Sequence, residues 1–394
     1  MTASVSRPVR VLLASVLKPV DDTRMVEKFG RTLAEAGYEV HVAGRQAPDA
    51  APASFVQRHV LFSAHRLAFS RLTAQWRYWQ LLMHRRTAPD VVVVHAPELL
   101  PLTLLWHFLN PKRAFLYDVR ENYALNIETQ QVYPKWLRGM LARAVRAVET
   151  AAARLATQVL LAERSYADEL PFATPERTRI LENKYQPQPG ELALSGTISL
   201  PSQPDVPLRL LYSGTISELN GVFDALRFAQ ALHALWPGTR LTIMGYCQRP
   251  EQLRRLQQAV ADAGPWVQLI GGAALIPHPT IVAEIQRSHF GLIPYQPHPS
   301  TWLCVPTKLF EYLANGLPML VHRNPHWSDL VHEHQAGLLI DFATPEAAAR
   351  LVADALRQGR SFYASGAPAS ALWASEAPQL LAAVATALRG KTVR

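Results

Sequence analysis

The chain has 394 residues, 49% hydrophobic and 18% charged, with a net charge of +9. That length exceeds what one hydrophobic core usually serves, so two domains are expected, and the composition excludes a disordered chain. The positive charge favours an anionic partner, but no nucleic-acid recognition motif accompanies it; Cys247 and Cys304 are the only cysteines, without CxxC or HExxH spacing, so a reducing compartment, no disulfide framework and no structural metal are expected.

In chain order, VRVLLASVL is too short an apolar run to span a bilayer. Lys18, Asp21 and Asp22 follow it without a cleavage pattern, and it reads as a first strand, Val9 to Leu17. A helix over Arg24 to Ala36 and a strand over Glu39 to Ala43 come next. From His65 to Arg86 there is no acidic residue; Phe69, Leu72, Trp76, Trp79 and Met83 recur at helical spacing among Arg66, Arg71, Arg77, Arg85 and Arg86. A second basic amphipathic helix is expected over Lys135 to Val148, with Trp136, Leu137, Met140, Leu141 and Val145 on one side. Such helices can rest among anionic headgroups, tryptophan at the interface and arginine on phosphate; alternatively the aromatic stripe is core and the arginines are its wet side. Val91 to Val94, Ala114 to Tyr117, Gln158 to Leu161 and Arg179 to Leu181 read as further strands, with a helix over Met140 to Leu155.

After the polar stretch NKYQPQPGE the pattern restarts. Strands are expected at Leu208 to Tyr212, Arg240 to Met244, Val267 to Ile270 and Phe290 to Ile293, alternating with helices over Gly221 to Leu235, Glu251 to Ala263 and Ile281 to Arg287. The fold class is therefore α/β, two tandem Rossmann-like doubly wound parallel sheets. The expected layout is residues 1–190 as the N-terminal domain, 191–207 as linker, 208–365 as the C-terminal domain and 366–394 as a helical segment packing outside the second sheet. SGTIS occurs at Ser195 to Ser199 and at Ser213 to Ser217, but only the second follows an apolar run and precedes a helix.

Residues 305–321 read VPTKLFEYLANGLPMLV. Pro306 opens a short helix, Leu309, Phe310 and Leu313 give it a buried face, and Asn315 with Gly316 closes it. Its first amides suit an anion such as a diphosphate, and Glu311 one turn in can accept hydrogen bonds from two adjacent ribose hydroxyls. The competing reading is an amphipathic helix with Lys308 and Glu311 as a solvated pair.

This motif resembles the GT-B glycosyltransferases, in particular the retaining family 4 type. Further segments extend the resemblance along almost the whole chain: DDTRMVEKFGRTLAEAGYEVHVAGR, YDVREN, VETAAARLATQVLLAERSYADEL, ILEN, LLYSGTISELNGVFDAL, TIMGY, FGLIPY and AGLLIDFATPEAAARLVADAL. The resemblance implies a cleft between two Rossmann-like domains, acceptor on the first and nucleotide diphosphate sugar on the second, with no cofactor and no bound metal. It assigns donor binding to Glu311, Gly214, Thr215, Asn220, Thr307, Leu309 and Phe310. It places His95, at the end of DVVVVH, near the reacting sugar and Lys308 within reach of a phosphate; of the other candidate catalytic residues, Asp118 and Glu121 are carboxylates that can orient an acceptor hydroxyl or take its proton, unless Asp118 caps the following turn, and Arg24 can bring charge from the facing domain.

Three positions depart from the family pattern. Leu303 stands where a second glutamate is usual, and Thr215 and Asn220 replace the basic pair that meets the leaving diphosphate, so Lys308, the Thr215 hydroxyl, helix dipoles or Arg24 must supply that charge. The expected function is retaining sugar transfer to a hydroxyl of a glycan or lipid-linked acceptor in cell-surface polysaccharide or glycolipid synthesis. The expected place is the cytoplasm, peripheral on the inner face of the membrane. The departures leave a noncatalytic nucleotide-sugar or glycan scaffold as the alternative, and an epimerase as a third reading.

Overall fold

A computed structural model describes residues 7–47, 53–62, 69–84, 88–129, 133–188, 191 and 198–392. Arg66, Arg85, Arg86, residues 192–197 of the expected linker and most of the first SGTIS lie outside these. Two compact units emerge: residues 1–186 with 373–394, and residues 187–372.

In the first unit the elements run β1 (Arg10–Pro19), a π-helix (Arg24–Gly30) continued by α1 (Arg31–Glu35), β2 (Glu39–Arg45), β3 (Gln57–Phe62), α2 (Phe69–Met83), β4 (Val91–Val94), α3 (Leu100–Leu109), β5 (Ala114–Val119), α4 (Tyr123–Thr129), α5 (Lys135–Leu155), β6 (Gln158–Leu161), α6 (Tyr166–Glu169) and β7 (Thr178–Ile180). The seven strands are parallel, in the order β3-β2-β1-β4-β5-β6-β7. The order reverses direction between β1 and β4. There the loops leaving adjacent strands diverge, which is where such sheets bind ligands.

The second unit contains β8 (Leu208–Thr215), α7 (Val222–Leu235), β9 (Thr239–Tyr246), α8 (Pro250–Ala263), β10 (Val267–Gly272), α9 (His278–Arg287), β11 (Phe290–Ile293), α10 (Thr307–Ala314), β12 (Met319–His322), α11 (Pro325–Glu333), β13 (Gly337–Ile340) and α12 (Pro345–Arg357). Its parallel sheet has the order β10-β9-β8-β11-β12-β13, with the switch between β8 and β11. Both sheets are doubly wound, as the strand-and-helix alternation of the sequence predicts.

The last helix, α13 (Ala377–Thr392), corrects one expectation. It packs on the first sheet, where Leu380, Ala383, Val384 and Ala387 join Met25, Phe29 and Leu33 in one core. Trp373 locks its approach by stacking on Phe29, 5.4 Å between ring centroids, and donating Nε1–H to Thr32 Oγ1 at 2.9 Å.

Helix α2 decides between the two readings of its stripe. Its core face is Ala74, Tyr78 and Leu82, one residue per turn, with Tyr78 hydrogen-bonded to Thr103 of α3 at 2.7 Å. Leu72, Trp76 and Met83 are exposed instead. At Leu72, Trp76 and Met83 the stripe is therefore not core.

Candidate functional site

In the second unit the candidate residues gather at the β8/β11 switch. Pro306, at φ −58° and ψ 136°, ends the extended approach and lets α10 begin at Thr307. All of α10 from Leu309 to Ala314 is buried. The helix comes this close to the sheet because Gly291 of β11 has no side chain: a Cβ there would lie 2.5 Å from the Tyr312 ring. Tyr312 in turn shares a 2.8 Å hydrogen bond with Ser213 at the end of β8. This contact seats Lys308 over Gly214, where a Cβ would come within 3.3 Å of Lys308 Cε. Gly214 also has φ +122°, a conformation that disfavours any side chain. Its glycine is thus required twice.

Glu311 is not a solvated partner of Lys308, for only 5% of it is exposed. Its Oε2 accepts from Lys308 Nζ, and its Oε1 pairs with His278 Nε2 at 2.7 Å. Burial pushes the carboxyl up, but the Lys308 charge and the hydrogen bonds from His278 and Lys308 outweigh it and hold the pKa at about 2. His278 opens α9 and lies 3.9 Å, through Nδ1, from Glu191 Oε1. Since Glu311 is held below its ordinary 4.5, its stabilising contribution is complete above that value and lost as pH falls toward about 2. The urea midpoints of wild type and Glu311→Gln should therefore keep their gap above about pH 5 and converge as pH falls from there toward about 2. A constant gap would detach Glu311 from this network.

Thr215 is exposed, and Asn220 is tied back to it: Nδ2 donates to the Thr215 carbonyl at 2.9 Å, and the Asn220 amide donates to Ser217 Oγ at 3.0 Å. These two residues brace the β8–α7 loop, which closes where Gly221 (φ +72°) leaves space for the Pro294 carbonyl, 1.9 Å from where a Cβ would stand. Thr307, exposed, stands at the open end of α10. For Leu309 and Phe310 the expectation concerned the amides, and for Leu309 it fails. Their side chains are core, and the Leu309 amide already donates to the Pro306 carbonyl at 2.9 Å, so this amide is not available to a diphosphate. Leu303, in the glutamate's usual place, is 41% exposed.

In the first unit the candidates meet at the β1/β4 switch. His95 leaves β4 with its amide donating to Ala14 of β1 at 2.8 Å. Arg24, the first residue of the π-helix, grips Asp118 with Nε at 2.9 Å and Nη2 at 2.7 Å, and its Nη1 donates to the Leu181 carbonyl at 3.0 Å. His95 Nδ1 lies 2.7 Å from Asp118 Oδ2. All three side chains are essentially inaccessible, at 1% or less. Burial raises the Asp118 carboxyl, yet Arg24 and His95 together bring it far below the ordinary range.

Two expectations are thereby corrected. Arg24 is not a free cation that can reach a diphosphate, because its charge and donors are spent on Asp118 and Leu181. Asp118 is not a proton acceptor, because both oxygens are occupied and its ionised form is strongly favoured. His95 behaves differently. Burial lowers its pKa despite Asp118, so the ring is neutral at pH 7. With Nδ1–H donating to the carboxylate, Nε2 carries a lone pair, and it is buried with no hydrogen-bond partner among the described residues. Glu121 is the accessible carboxylate beyond β5, with its side chain 43% exposed, bonded to Lys18 Nζ at 3.2 Å and Asn126 Nδ2 at 3.0 Å.

Sequence reasoning missed His278, Ser213 with Tyr312, and the half-buried Arg120–Asp22 fork at 2.8 and 3.1 Å. For His278 a signal existed: a histidine between two prolines at the first helix start after a strand of the second sheet. Among the described residues, no group of three or more His, Cys, Asp or Glu side chains is arranged to hold a metal ion.

Two doubly wound units with these switch points define the GT-B fold, the fold of many glycosyltransferases. Residues 207–358, the greater part of the second unit, match the family model described as Glycosyl transferases group 1. Solved structures share the fold over nearly the whole chain. Sucrose-phosphate synthase from Thermosynechococcus elongatus is 16% identical, with 97% of each chain covered and a TM-score of 0.63. HepE of Anabaena, crystallised with UDP and glucose, is 14% identical, with 96% of this chain and 100% of that chain covered and a TM-score of 0.65. WaaG, a glycosyltransferase involved in lipopolysaccharide biosynthesis, is 15% identical, with 94% of each chain covered and a TM-score of 0.61. At these identities the likeness concerns the fold. A search of curated proteins by sequence finds no significant match.

Proposed function

We propose that the protein is a retaining, metal-independent glycosyltransferase that moves a sugar from a nucleotide diphosphate sugar to a hydroxyl of a glycan or lipid-linked acceptor, in cell-surface polysaccharide or glycolipid synthesis. The observation that carries this reading is the buried, ionised Glu311 one turn inside a helix whose Lys308 lies over Gly214. Glu311 stays ionised, and each of its oxygens holds one partner in this structure, Lys308 or His278, so the lone pairs left over are what the paired hydroxyls of a ribose would use; Lys308 beside it is the cation for the diphosphate. Retention needs no protein nucleophile when the departing phosphate itself takes the acceptor proton on the same face. The neutral His95 keeps a lone pair on Nε2, which a sugar hydroxyl would engage once the end of β4 opens to it, since the ring is inaccessible in this structure. HepE was crystallised with UDP and with UDP-glucose, which makes UDP-sugars the first donors to try.

The acceptor's class is argued from the surface of the first unit. Helix α3 packs beside both α2 and α5, and the three expose Leu72, Trp76, Leu105, Phe108, Trp136 and Met140, with Trp136 77% accessible. Arg77, Lys112, Lys135 and Arg143 accompany them. No described helix is long and apolar enough to cross a membrane. This face suits peripheral attachment to an anionic bilayer, where a lipid-linked acceptor resides and where the cytoplasmic donor is available.

The enzyme is tested by incubating it with UDP-, ADP- and GDP-sugars, with and without membrane extract, and measuring nucleotide diphosphate release. Release that requires extract supports the reading; none with any donor sinks it. Glu311→Gln should weaken UDP binding by about 1.5–3 kcal/mol by calorimetry. Attachment is tested by sedimentation with vesicles. Binding should favour anionic over neutral lipid, fall with salt, and drop in the Trp76→Ser/Trp136→Ser variant. Binding that ignores lipid charge, salt and both tryptophans would remove the face from the proposal.

A further inference from the structure

Strand β3 is the outer edge of the first sheet, and between it and α2 lies a cavity of about 810 Å³. Arg58 and His59 enter from the strand; Arg77, Trp79, Met83 and His84 enter from the helix. No carboxylate is among its described lining residues. Arg77 spends one nitrogen, Nη1, on the edge carbonyls of Val60 and Leu61 at 3.2 and 3.4 Å, and has no carboxylate partner among the described residues. His59 stacks on His41 with ring centroids 5.1 Å apart, and burial followed by the neighbouring His41 lowers its pKa to about 4, so it contributes a neutral ring at pH 7. The cavity thus has two guanidinium groups and a largely apolar wall. Met83 belongs both to that wall and to the exposed stripe of α2, so the cavity adjoins the face assigned to the bilayer.

We propose that this cavity holds the phosphate of an anionic phospholipid, with Arg58 and Arg77 on the phosphate oxygens and the first methylenes of the lipid against Trp79 and Met83. The fork of an arginine matches two phosphate oxygens at once, and a site lacking acids has nothing to repel them. The volume lies within the range of pockets for whole small molecules and exceeds the need of a lone phosphate. The inference deepens the membrane reading and rests on it for the lipid's direction of approach. It adds a selection by headgroup that an apolar face with scattered charge does not have.

The test compares vesicles of phosphatidylcholine carrying either phosphatidylglycerol or oleate at equal surface charge. Wild type should prefer the phosphatidylglycerol vesicles, and Arg58→Gln and Arg77→Gln should each reduce that preference about fivefold, while binding to oleate vesicles changes less. Because Arg77 also caps the strand edge, Trp79→Ala provides a second variant that leaves the cap in place and should reduce the preference too. Equal binding to both vesicles, or a preference untouched by all three variants, overturns the cavity while leaving the attachment face standing. If wild type binds no vesicle, the face fails, and titration with dihexanoyl phosphatidylglycerol below its micelle concentration decides the cavity alone. Saturable binding lost in Arg77→Gln and Trp79→Ala supports it; absence of binding overturns it. Glycerol phosphate binding as tightly as the short lipid would make the site one for free phosphate esters and overturn the lipid assignment.

Discussion

Arg24→Ala should destabilise the first unit by about 3–5 kcal/mol and leave nucleoside diphosphate binding by the folded protein unchanged. The side chain has three engaged nitrogens, and its partner Asp118 is wholly buried. Removing the guanidinium leaves a carboxylate in low dielectric with only His95 to compensate. A buried unpaired charge is among the costliest single defects a core can carry. Lysine should not rescue it, since one ammonium cannot make the forked contact with Asp118 and reach the Leu181 carbonyl. The pH dependence follows from the same pair. Asp118 is held well below its ordinary 3.8, so its contribution is present above that value and is lost under acid conditions. Urea unfolding of wild type, Arg24→Ala and Arg24→Lys, with UDP titration of each, is the measurement. A variant of unchanged stability that had lost UDP affinity would return Arg24 to the donor.

The contrast between Arg24 and Glu311 shows what the sequence could and could not convey about the site. Both are charged residues near the start of a helix, and both read as ligand-facing. Glu311 carries partners from its own helix and from the start of α9, within 33 residues, and the local motif already contained Lys308. The partner of Arg24 is 94 residues away, so only the folded sheet reveals that its charge is consumed internally.

Helix α2 was open to two readings for a related reason. Leu72, Trp76 and Met83 recur at helical spacing, which fixes a face but not the direction in which it points, while the true core face, Ala74, Tyr78 and Leu82, is smaller and less conspicuous. The α/β alternation was legible because strands buried on both sides must be continuous apolar runs. Strand β3, QRHVLF, escaped because an edge strand can keep Arg58 and His59. The apolar face of α13 was legible as a face, but periodicity does not say which of two similar sheets it covers.

Lys308→Met should lower turnover by about 10²–10³-fold, on the order of 3–4 kcal/mol of transition-state stabilisation. Thr215 and Asn220 stand where a basic pair is usual and are hydrogen-bonded to one another, so they add no charge against a leaving diphosphate. Arg24 is committed to Asp118. Lys308 is then the cation that the second unit places at the mouth of its switch point, over Gly214 and at the first turn of α10. Methionine is chosen because it keeps much of the apolar stem that packs on Gly214 and removes the ammonium. The substitution also strips Glu311 of its main charge partner, so its carboxyl will rise, and some ground-state affinity will go with it. The two effects separate kinetically. Loss of leaving-group stabilisation appears in kcat, whereas loss of ribose binding appears in KM and should be matched by Glu311→Gln. A Lys308→Met enzyme with the KM of Glu311→Gln and a wild-type kcat would mean that the lysine only positions the glutamate. The diphosphate charge would then have to be met by the helix dipole and first amides of α10.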